Sequence, residues 1–485
     1  MGATRVVVLG AGIAGHTASS FLRKWLPRDH EVVVVSPRPE FNWVPSNIWV
    51  GVGLMRPEQV MVDLRPIYSR GNVDFRLARA GALYPEGSAD SPKPFVEIEY
   101  TAGDRSGQKE RLTYDFLINA TGPKLDFEAT PGLGPKANSL SVCTPFHAAD
   151  SSKALDETVE RMKRGERQRF IIGMGHGGAT CQGAAFEYIV NLEFELRARG
   201  VREKADITYL TNEYEVGDFG MGGINMRYGG YVTPSRIFTE SLFAERGIDW
   251  VTRSHVQKVE PGRLQFENLA GEERELAFDM AMLIPPFRGA GLQAFDKAGS
   301  DITSTLFAPS GFMKVDADYS AKPFEAWKAS DWPRTYQTKY PNVFAAGIAF
   351  APPHPISVPR KSMRGTNITP APPRTGMPSG TIAKAVAQSI ADMIKGAPAP
   401  THTASMAEMG AACVASAGAN PFTGTAASIT VFPIIPDFER YPEFGRDLDS
   451  TYGEIGLAGH WTKILLHHMF LHKARLRPLW SLIPE

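Results

Sequence analysis

The run Arg5-Val6-Val7-Val8-Leu9 leads directly into Gly10-Ala11-Gly12-Ile13-Ala14-Gly15, then a helical stretch to about Trp25 and a second apolar strand from Glu31 to Val35. In such a strand–turn–helix–strand unit the first glycine permits the tight turn and the second lets a pyrophosphate approach the backbone. The third lets helix and strand pack closely, with the phosphates at the helix N-terminus beside Ile13 and Ala14. The chain is therefore expected to open with a dinucleotide-binding unit of the doubly wound α/β class. The acidic residue that usually ends the second strand and holds a ribose is missing; Ser36, a weaker hydrogen-bonding partner, stands there and Pro37 follows.

Two later segments favour a flavin over a free nicotinamide. Tyr114 to Pro123 reads as a buried strand running into Ala120-Thr121-Gly122, and Asn342-Val343-Phe344-Ala345-Ala346-Gly347 as another ending in glycine. In proteins with two dinucleotide-binding domains such strands return the chain to the FAD domain, which is assembled from both ends of the sequence. An Asp commonly follows that last glycine and reaches the flavin ribityl chain; here the residue is Ile348. The expected FAD contacts are Gly10, Gly12, Ile13, Ala14, Gly15, Ser36, Pro37, Val44, Ala80, Gly122, Ile348 and Gly376.

Between the two returns, residues from about 168 to 286 read as a second Rossmann-like unit. A strand from Arg169 to Ile172 precedes Gly173-Met174-Gly175-His176-Gly177-Gly178, a helix from Ala184 to Arg197 and a strand from Asp206 to Leu210. Gly173, Gly175 and Gly178 also fit the glycine motif, so an NADH site is the natural alternative. Cys181 in the first turn of the following helix argues otherwise, because a helix N-terminus stabilises a thiolate and lowers its pKa. The expected organisation is 1–150 as the first part of an FAD-binding domain and 151–320 as the second Rossmann-like domain. Residues 321–400 return to the FAD domain, and 401–485 form a C-terminal region with an amphipathic, membrane-associating helix.

Composition narrows the partners. The 485 residues hold 52 Lys plus Arg against 52 Asp plus Glu, so no net charge draws the chain toward nucleic acid. Three cysteines are too few for a disulfide scaffold, and their odd number leaves at least one thiol free or redox-active. The first strand follows Met1 too closely for a signal peptide, and no apolar run approaches the ~20 residues of a spanning helix. No metal site is expected: the cysteines lack CxxC spacing, and His467, His468 and His472 suit a wet helix face better than a coordination shell.

These residues resemble a known family. Phe41-Asn42-Trp43-Val44-Pro45-Ser46-Asn47-Ile48-Trp49-Val50-Gly51-Val52-Gly53, Ser141-Val142-Cys143-Thr144 with His147, Gly178-Ala179-Thr180-Cys181 with Glu187, and Ala412-Cys413-Val414-Ala415 are similar to signature stretches of sulfide:quinone oxidoreductases. That family belongs to the flavoprotein disulfide reductases with two dinucleotide-binding domains. All three cysteines fall on family cysteine positions, and Ser36 and Ile348 match what sulfide-oxidising members carry. The resemblance implies FAD-dependent oxidation of hydrogen sulfide to polysulfide or sulfur, with two electrons passed to a membrane quinone. It implies a redox pair, Cys181 and Cys413, on one face of the flavin. Sulfide would open the bridge between them to a persulfide and a thiolate, and the thiolate, on Cys413, would add to the flavin C4a position. Cys143 is implied as an accessory thiol for transfer or release of the sulfur chain. Glu187 is implied as a proton acceptor or relay, with a solvated carboxylate as the alternative; His147 is a proton carrier by analogy, or a surface residue.

From Leu457 to about Leu476 the residues Leu457, Trp461, Ile464, Leu465 and Met469 recur at helical spacing, with Lys463, His467, His472 and Lys473 on the polar side. A basic, aromatic-bearing amphipathic helix of this kind reads as a monotopic anchor on a lipid bilayer surface, with a core-packing helix as the alternative. The expected location is peripheral on a cell membrane, and a homo-oligomer is compatible with it. Family quinone-site positions fall on Arg374, where a Lys is more familiar, and on Val414, where an aromatic residue is common. The proline-rich stretch from Ala351 to Pro373 reads as an irregular loop: a lid over the quinone, a lipid contact or a disordered linker. Three rival functions stand beside this one. A flavocytochrome c sulfide dehydrogenase subunit would pass electrons to haem, an NADH:quinone dehydrogenase would use Gly173, Gly175 and Gly178, and a thiol-based sensor would catalyse nothing.

Overall fold

Val6, Val7, Val8 and Leu9 are inaccessible to solvent in the computed structural model, which describes residues 2–485. A β-branched run covered on both faces belongs in the middle of a parallel sheet. Its strand, Arg5–Leu9, lies between Phe116–Asn119 and Glu31–Ser36, and Val6 sits opposite both Val32 and Phe116. The sheet runs in the order Val343–Ala345, Phe116–Asn119, Arg5–Leu9, Glu31–Ser36, Asp74–Tyr84, Phe95–Tyr100, Lys109–Thr113. The first five are parallel, and Phe95–Tyr100 pairs antiparallel with both of its neighbours. Val343 pairs with Leu117, so segments far apart in sequence close one layer. Helices Ile13–Trp25 and Gly376–Ile394 pack together against this sheet.

The three glycines of the first loop do three different jobs. At Gly10 (φ 100°) a Cβ would lie 2.2 Å from the Ala120 carbonyl oxygen, and at Gly15 it would lie 2.0 Å from that of Gly10. Gly12 meets nothing within 4 Å. Turn and close packing thus need glycine for internal reasons, whereas Gly12 leaves room for something from outside.

The second unit is a four-stranded parallel sheet in the order Ile248–Val251, Ala205–Leu210, Gln168–Met174, Met280–Ile284, with helix Gln182–Ala198 against it. A five-stranded sheet that the sequence reading did not foresee runs Tyr231–Pro234, Asn225–Tyr228, Tyr452–Gly456, Thr423–Val431, Ala411–Asn420. The Pro/Ala/Gly-rich stretch around Cys413 supplies the hairpin at one edge of that sheet. Ala415, Ser416 and Ala417 are buried there, and small side chains let helix Gln182–Ala198 lie directly on the strand. The Ala351–Pro373 stretch is irregular as expected but tied down: the Thr369 N–H donates to the Gly177 carbonyl (3.0 Å) and the Ala371 N–H to that of Ala179 (3.3 Å).

The C-terminal helix, Leu457–Ala474, turns its apolar side outward, but its polar side is not wet as expected. Lys463, His467 and Lys473, read as its wet side, are buried, as is His460, while Trp461 is 54% and Leu465 57% exposed. The reason is that each polar group finds a partner inside; Lys473 Nζ, for one, donates to the Ile483 carbonyl at 2.8 Å.

Valine at position 15 must push the Gly10 carbonyl and should destabilise the ligand-free protein by about 1–3 kcal/mol or more. Valine at position 12 should leave its chemical denaturation within about 0.5 kcal/mol of wild type, yet weaken flavin binding at least about tenfold in a calorimetric titration. Equal loss of stability in both variants would contradict this assignment of roles.

Candidate active site

Cys181 caps the N-terminus of helix Gln182–Ala198 in a left-handed conformation, φ 75°. It stands one step before the helix rather than in its first turn. Such strain, about 1–3 kcal/mol in a residue with a side chain, gathers at functional sites. Its thiol approaches the Arg374 carbonyl at 3.9 Å. Cys413, on strand Ala411–Asn420, has its sulfur against Gly183, where an added Cβ would come within 2.9 Å of it. Only a glycine two positions after Cys181 leaves space for that sulfur, and the sequence reading had given Gly183 no role. Cys143, in the loop ahead of helix Pro145–Lys163, completes the group: negative charge on Cys143 or Cys413 opposes ionisation of Cys181. The structure thus brings the three cysteines into one electrostatic neighbourhood, all as free thiols.

The thiols are not pre-ionised. Burial pushes Cys181 up to about 12, overriding the pull of Arg374, and raises Cys413 to about 12 and Cys143 to about 11. The expectation of a depressed Cys181 pKa is therefore corrected. Cys181 does stand at the helix N-terminus, but its sulfur makes no capping hydrogen bond there, and desolvation outweighs a dipole of partial charges.

Glu187 lies inside the protein, where it accepts a hydrogen bond from Lys463 Nζ at 3.0 Å. Burial raises its carboxyl pKa, and Lys463 and the Ser416 amide draw it back. Both charges reach Cys413: Glu187 raises its pKa further and Lys463 lowers it. Lys463 was placed on the wet face of the tail by sequence reasoning. The missed signal is the narrow stripe His460, Lys463, His467, flanked by apolar residues on both sides. His460 Nε2 donates to the Asn420 carbonyl (2.8 Å) while Nδ1 accepts from Ser416 Oγ (2.6 Å). His467 Nδ1 pairs with Ser46 Oγ at 2.9 Å, and His16, next to Gly15, donates from Nε2 to the Ala474 carbonyl at 2.9 Å.

His147 lies in the first turn of helix Pro145–Lys163, four residues after Cys143. Its N–H donates to Thr144 Oγ1 (3.1 Å), its ring meets Phe127 edge-on, and its charged neighbours are Asp150, Arg38 and Lys136. The Arg374 guanidinium donates to the carbonyls of Ile348 and Phe350 and stacks on Phe312 at 3.8 Å. Val414 is buried, one residue on from Cys413 and so on the opposite side of the strand.

The first glycine loop fits a dinucleotide. Gly12 faces open space, and the amides of Ile13 and Ala14 head the helix without intrahelical partners. Ile348 and Gly376 converge on it: a Cβ on the adjacent Gly347 would lie 2.6 Å from that of Ala14, and one on Gly376 3.0 Å from Ile13 Cδ1. Gly122 (φ 68°) also faces open space. Ser36 Oγ turns into its own loop, donating to the Arg38 carbonyl at 2.8 Å, and the Pro37 carbonyl accepts from Thr101. Ala80 sits at an irregularity opposite Ile98. Val44 adjoins Trp43, which stacks on Phe470 of the C-terminal helix at 4.4 Å.

No family model matches the chain. Among curated proteins it is 30% identical over 476 residues to the sulfide-quinone reductase of Aquifex aeolicus (strain VF5), spanning 98% of this chain and 91% of that protein. The chain belongs to the sulfide-quinone reductase family. The X-ray structure of the sulfide:quinone oxidoreductase from Aquifex aeolicus superposes with a TM-score of 0.74 at 28% identity, covering 98% and 92% of the two chains. The mitochondrial sulfide:quinone oxidoreductase of Dictyostelium discoideum is 23% identical over 350 residues, 71% of this chain and 65% of that one. NDH2 from Plasmodium falciparum, in complex with NADH, shares the fold alone, with a TM-score of 0.61 at 13% identity over 98% and 96% of the chains.

Lys463→Met leaves Glu187 buried without its cation and is expected to lower unfolding free energy by about 3–5 kcal/mol, with Lys463→Met/Glu187→Gln recovering most of it. Thiols held this high should be alkylated by iodoacetamide with a rate rising close to tenfold per pH unit up to about pH 10 in ligand-free protein. A plateau near neutral pH would show an ionised cysteine that this geometry does not provide.

Proposed function

We propose that this chain binds FAD at the Gly10–Gly15 loop, oxidises hydrogen sulfide at Cys181 and Cys413, and delivers two electrons to a quinone dissolved in a bilayer. Oxidation of sulfide with a quinone as electron acceptor is the activity of the family to which the chain belongs. The observation that carries the reading is the meeting of all three dispersed thiols at the head of helix Gln182–Ala198. FAD, when bound, takes up the electron pair from the cysteines and passes it to the quinone.

With FAD as the oxidant, the free Cys181 and Cys413 thiols would give up two electrons and two protons and join as a bridge; hydrosulfide would then attack its Cys181 sulfur, the S–S bond breaking to leave a persulfide on Cys181 and a thiolate on Cys413. Burial opposes that thiolate, so its charge needs a local counterion, and Lys463 is the cation that lowers the Cys413 pKa. Glu187, raised by burial and bonded to Lys463, is placed to take and return the proton that sulfide brings. Cys143, which senses Cys181, can receive the growing sulfur chain. The Arg374 guanidinium is engaged by the Ile348 and Phe350 carbonyls, which fix its position as the cation for a quinone carbonyl.

The membrane reading rests on the outward face of the C-terminal helix. The Trp461 indole N–H donates to the Pro421 carbonyl (2.8 Å), joining the helix to the hairpin tip at Phe422, 86% exposed. An apolar face turned outward over a polar face turned inward is stable where the surrounding medium is itself apolar. No helix among the described residues is long and apolar enough to cross a membrane.

In anaerobic stopped-flow absorbance, sulfide should bleach the FAD-loaded protein, and Cys413→Ser should slow that at least about 100-fold. Unchanged bleaching in the variant would overturn the thiol route. Trp461→Asp/Leu465→Asp should retain sulfide bleaching yet lose about 100-fold in binding to phospholipid vesicles.

A further inference from the structure

Gly173, Gly175 and Gly178 repeat the spacing of Gly10, Gly12 and Gly15, yet the two loops differ wherever a dinucleotide would touch them. In the first loop the helix starts at Ile13, immediately after the open Gly12. In the second it starts only at Gln182, so Cys181, and not an open glycine, stands at its N-terminus. Gly175 corresponds to Gly12, but a Cβ there would lie 2.5 Å from Leu133 Cδ1, whose side chain fills the approach.

The amides of the second loop are also taken. The Gly177 N–H donates to His255 Nδ1 (2.9 Å) and the Gly178 N–H to His176 Nδ1 (3.0 Å). The Gly175 N–H donates to the Ile284 carbonyl at 2.8 Å. The two imidazoles meet edge to face with centroids 4.6 Å apart. Thr369 and Ala371 donate to the Gly177 and Ala179 carbonyls, and Asn212 Nδ2 donates to the same pair at 3.0 Å each. Glu213, three residues beyond strand Ala205–Leu210, would be the ribose ligand of a nicotinamide site. It is turned inward instead, accepting from Thr211 Oγ1 (2.7 Å) and the Phe219 N–H (2.8 Å).

We propose that Leu133, His176 and His255 are specificity-determining residues that close the second Rossmann unit to nicotinamide dinucleotides, with imidazole nitrogens holding the amides that phosphate oxygens would otherwise accept from. An imidazole can accept at Nδ1 only while that nitrogen is unprotonated. Burial favours the neutral form of both rings, lowering His176 to about 4 and His255 in the same direction against the pull of Glu267. The plug leaves sulfide as the electron donor without a rival at the flavin.

The test is an anaerobic titration of the FAD-loaded protein with NADH, read by NADH fluorescence for binding and by flavin absorbance for reduction. Wild type should show no saturable binding up to about 1 mM, and Leu133→Ala/His176→Ala/His255→Ala should bind at least about tenfold more tightly. His255→Ala alone should move the same way by a smaller factor, and serves if the triple variant does not retain FAD. Saturable sub-millimolar binding to wild type would overturn the proposal. So would a variant that still accepts electrons from sulfide but binds NADH no better than wild type. Sulfide bleaching of wild type reports on the proposed reaction and the NADH titration on the plug, so the two can fail separately.

Discussion

The ion pair between Lys463 and Glu187 couples parts of the chain that otherwise have no reason to meet. It joins the C-terminal helix to the helix headed by Cys181, and both charges act on Cys413. A buried pair contributes little net stability, but losing one member is costly, so it dictates how the helix seats. Once Lys463 is inside, His460 reaches Ser416, His467 reaches Ser46 and the end of the helix meets His16 beside the first glycine loop. The same orientation turns Trp461 and Leu465 outward. The polar site and the apolar surface are consequences of one choice of helix rotation.

The glycine loops show how little a spacing says about occupancy. Gly10, Gly12 and Gly15 divide into two that satisfy internal packing and one that faces open space. At Gly173, Gly175 and Gly178 the equivalent open position is filled by Leu133, and the amides are satisfied by histidines. What separates a binding loop from a closed one is supplied by residues at positions 133 and 255, which no inspection of the motif includes.

The thiols follow the same logic. A cysteine at a helix N-terminus suggests a stabilised thiolate, and the helix does end at Cys181. Yet bringing three sulfurs together in a dry site removes more solvation than a helix end and Arg374 restore, and all three pKa values rise. Their reactivity must come from neighbouring charge and chemistry at the moment of reaction.

The apolar strand runs, the glycine punctuation and the cysteine contexts were legible because they are local: periodicity and backbone sterics act over a few residues. On that basis the sequence by itself determined an α/β flavoprotein frame, a first loop shaped for a dinucleotide and the amphipathic character of the tail. It could not say which face of Leu457–Ala474 goes inward, because amphipathicity is symmetrical until a partner such as Glu187 is supplied from 276 residues away. Nor could it show the five-stranded sheet, whose register depends on strands Asn225–Tyr228 and Tyr452–Gly456 meeting across half the chain. Those outcomes, with the closing of the second loop and the raised thiol pKa values, were decided only in the tertiary structure. Desolvation and the satisfaction of buried polar groups are sums over everything nearby in space, and sequence order does not record that neighbourhood.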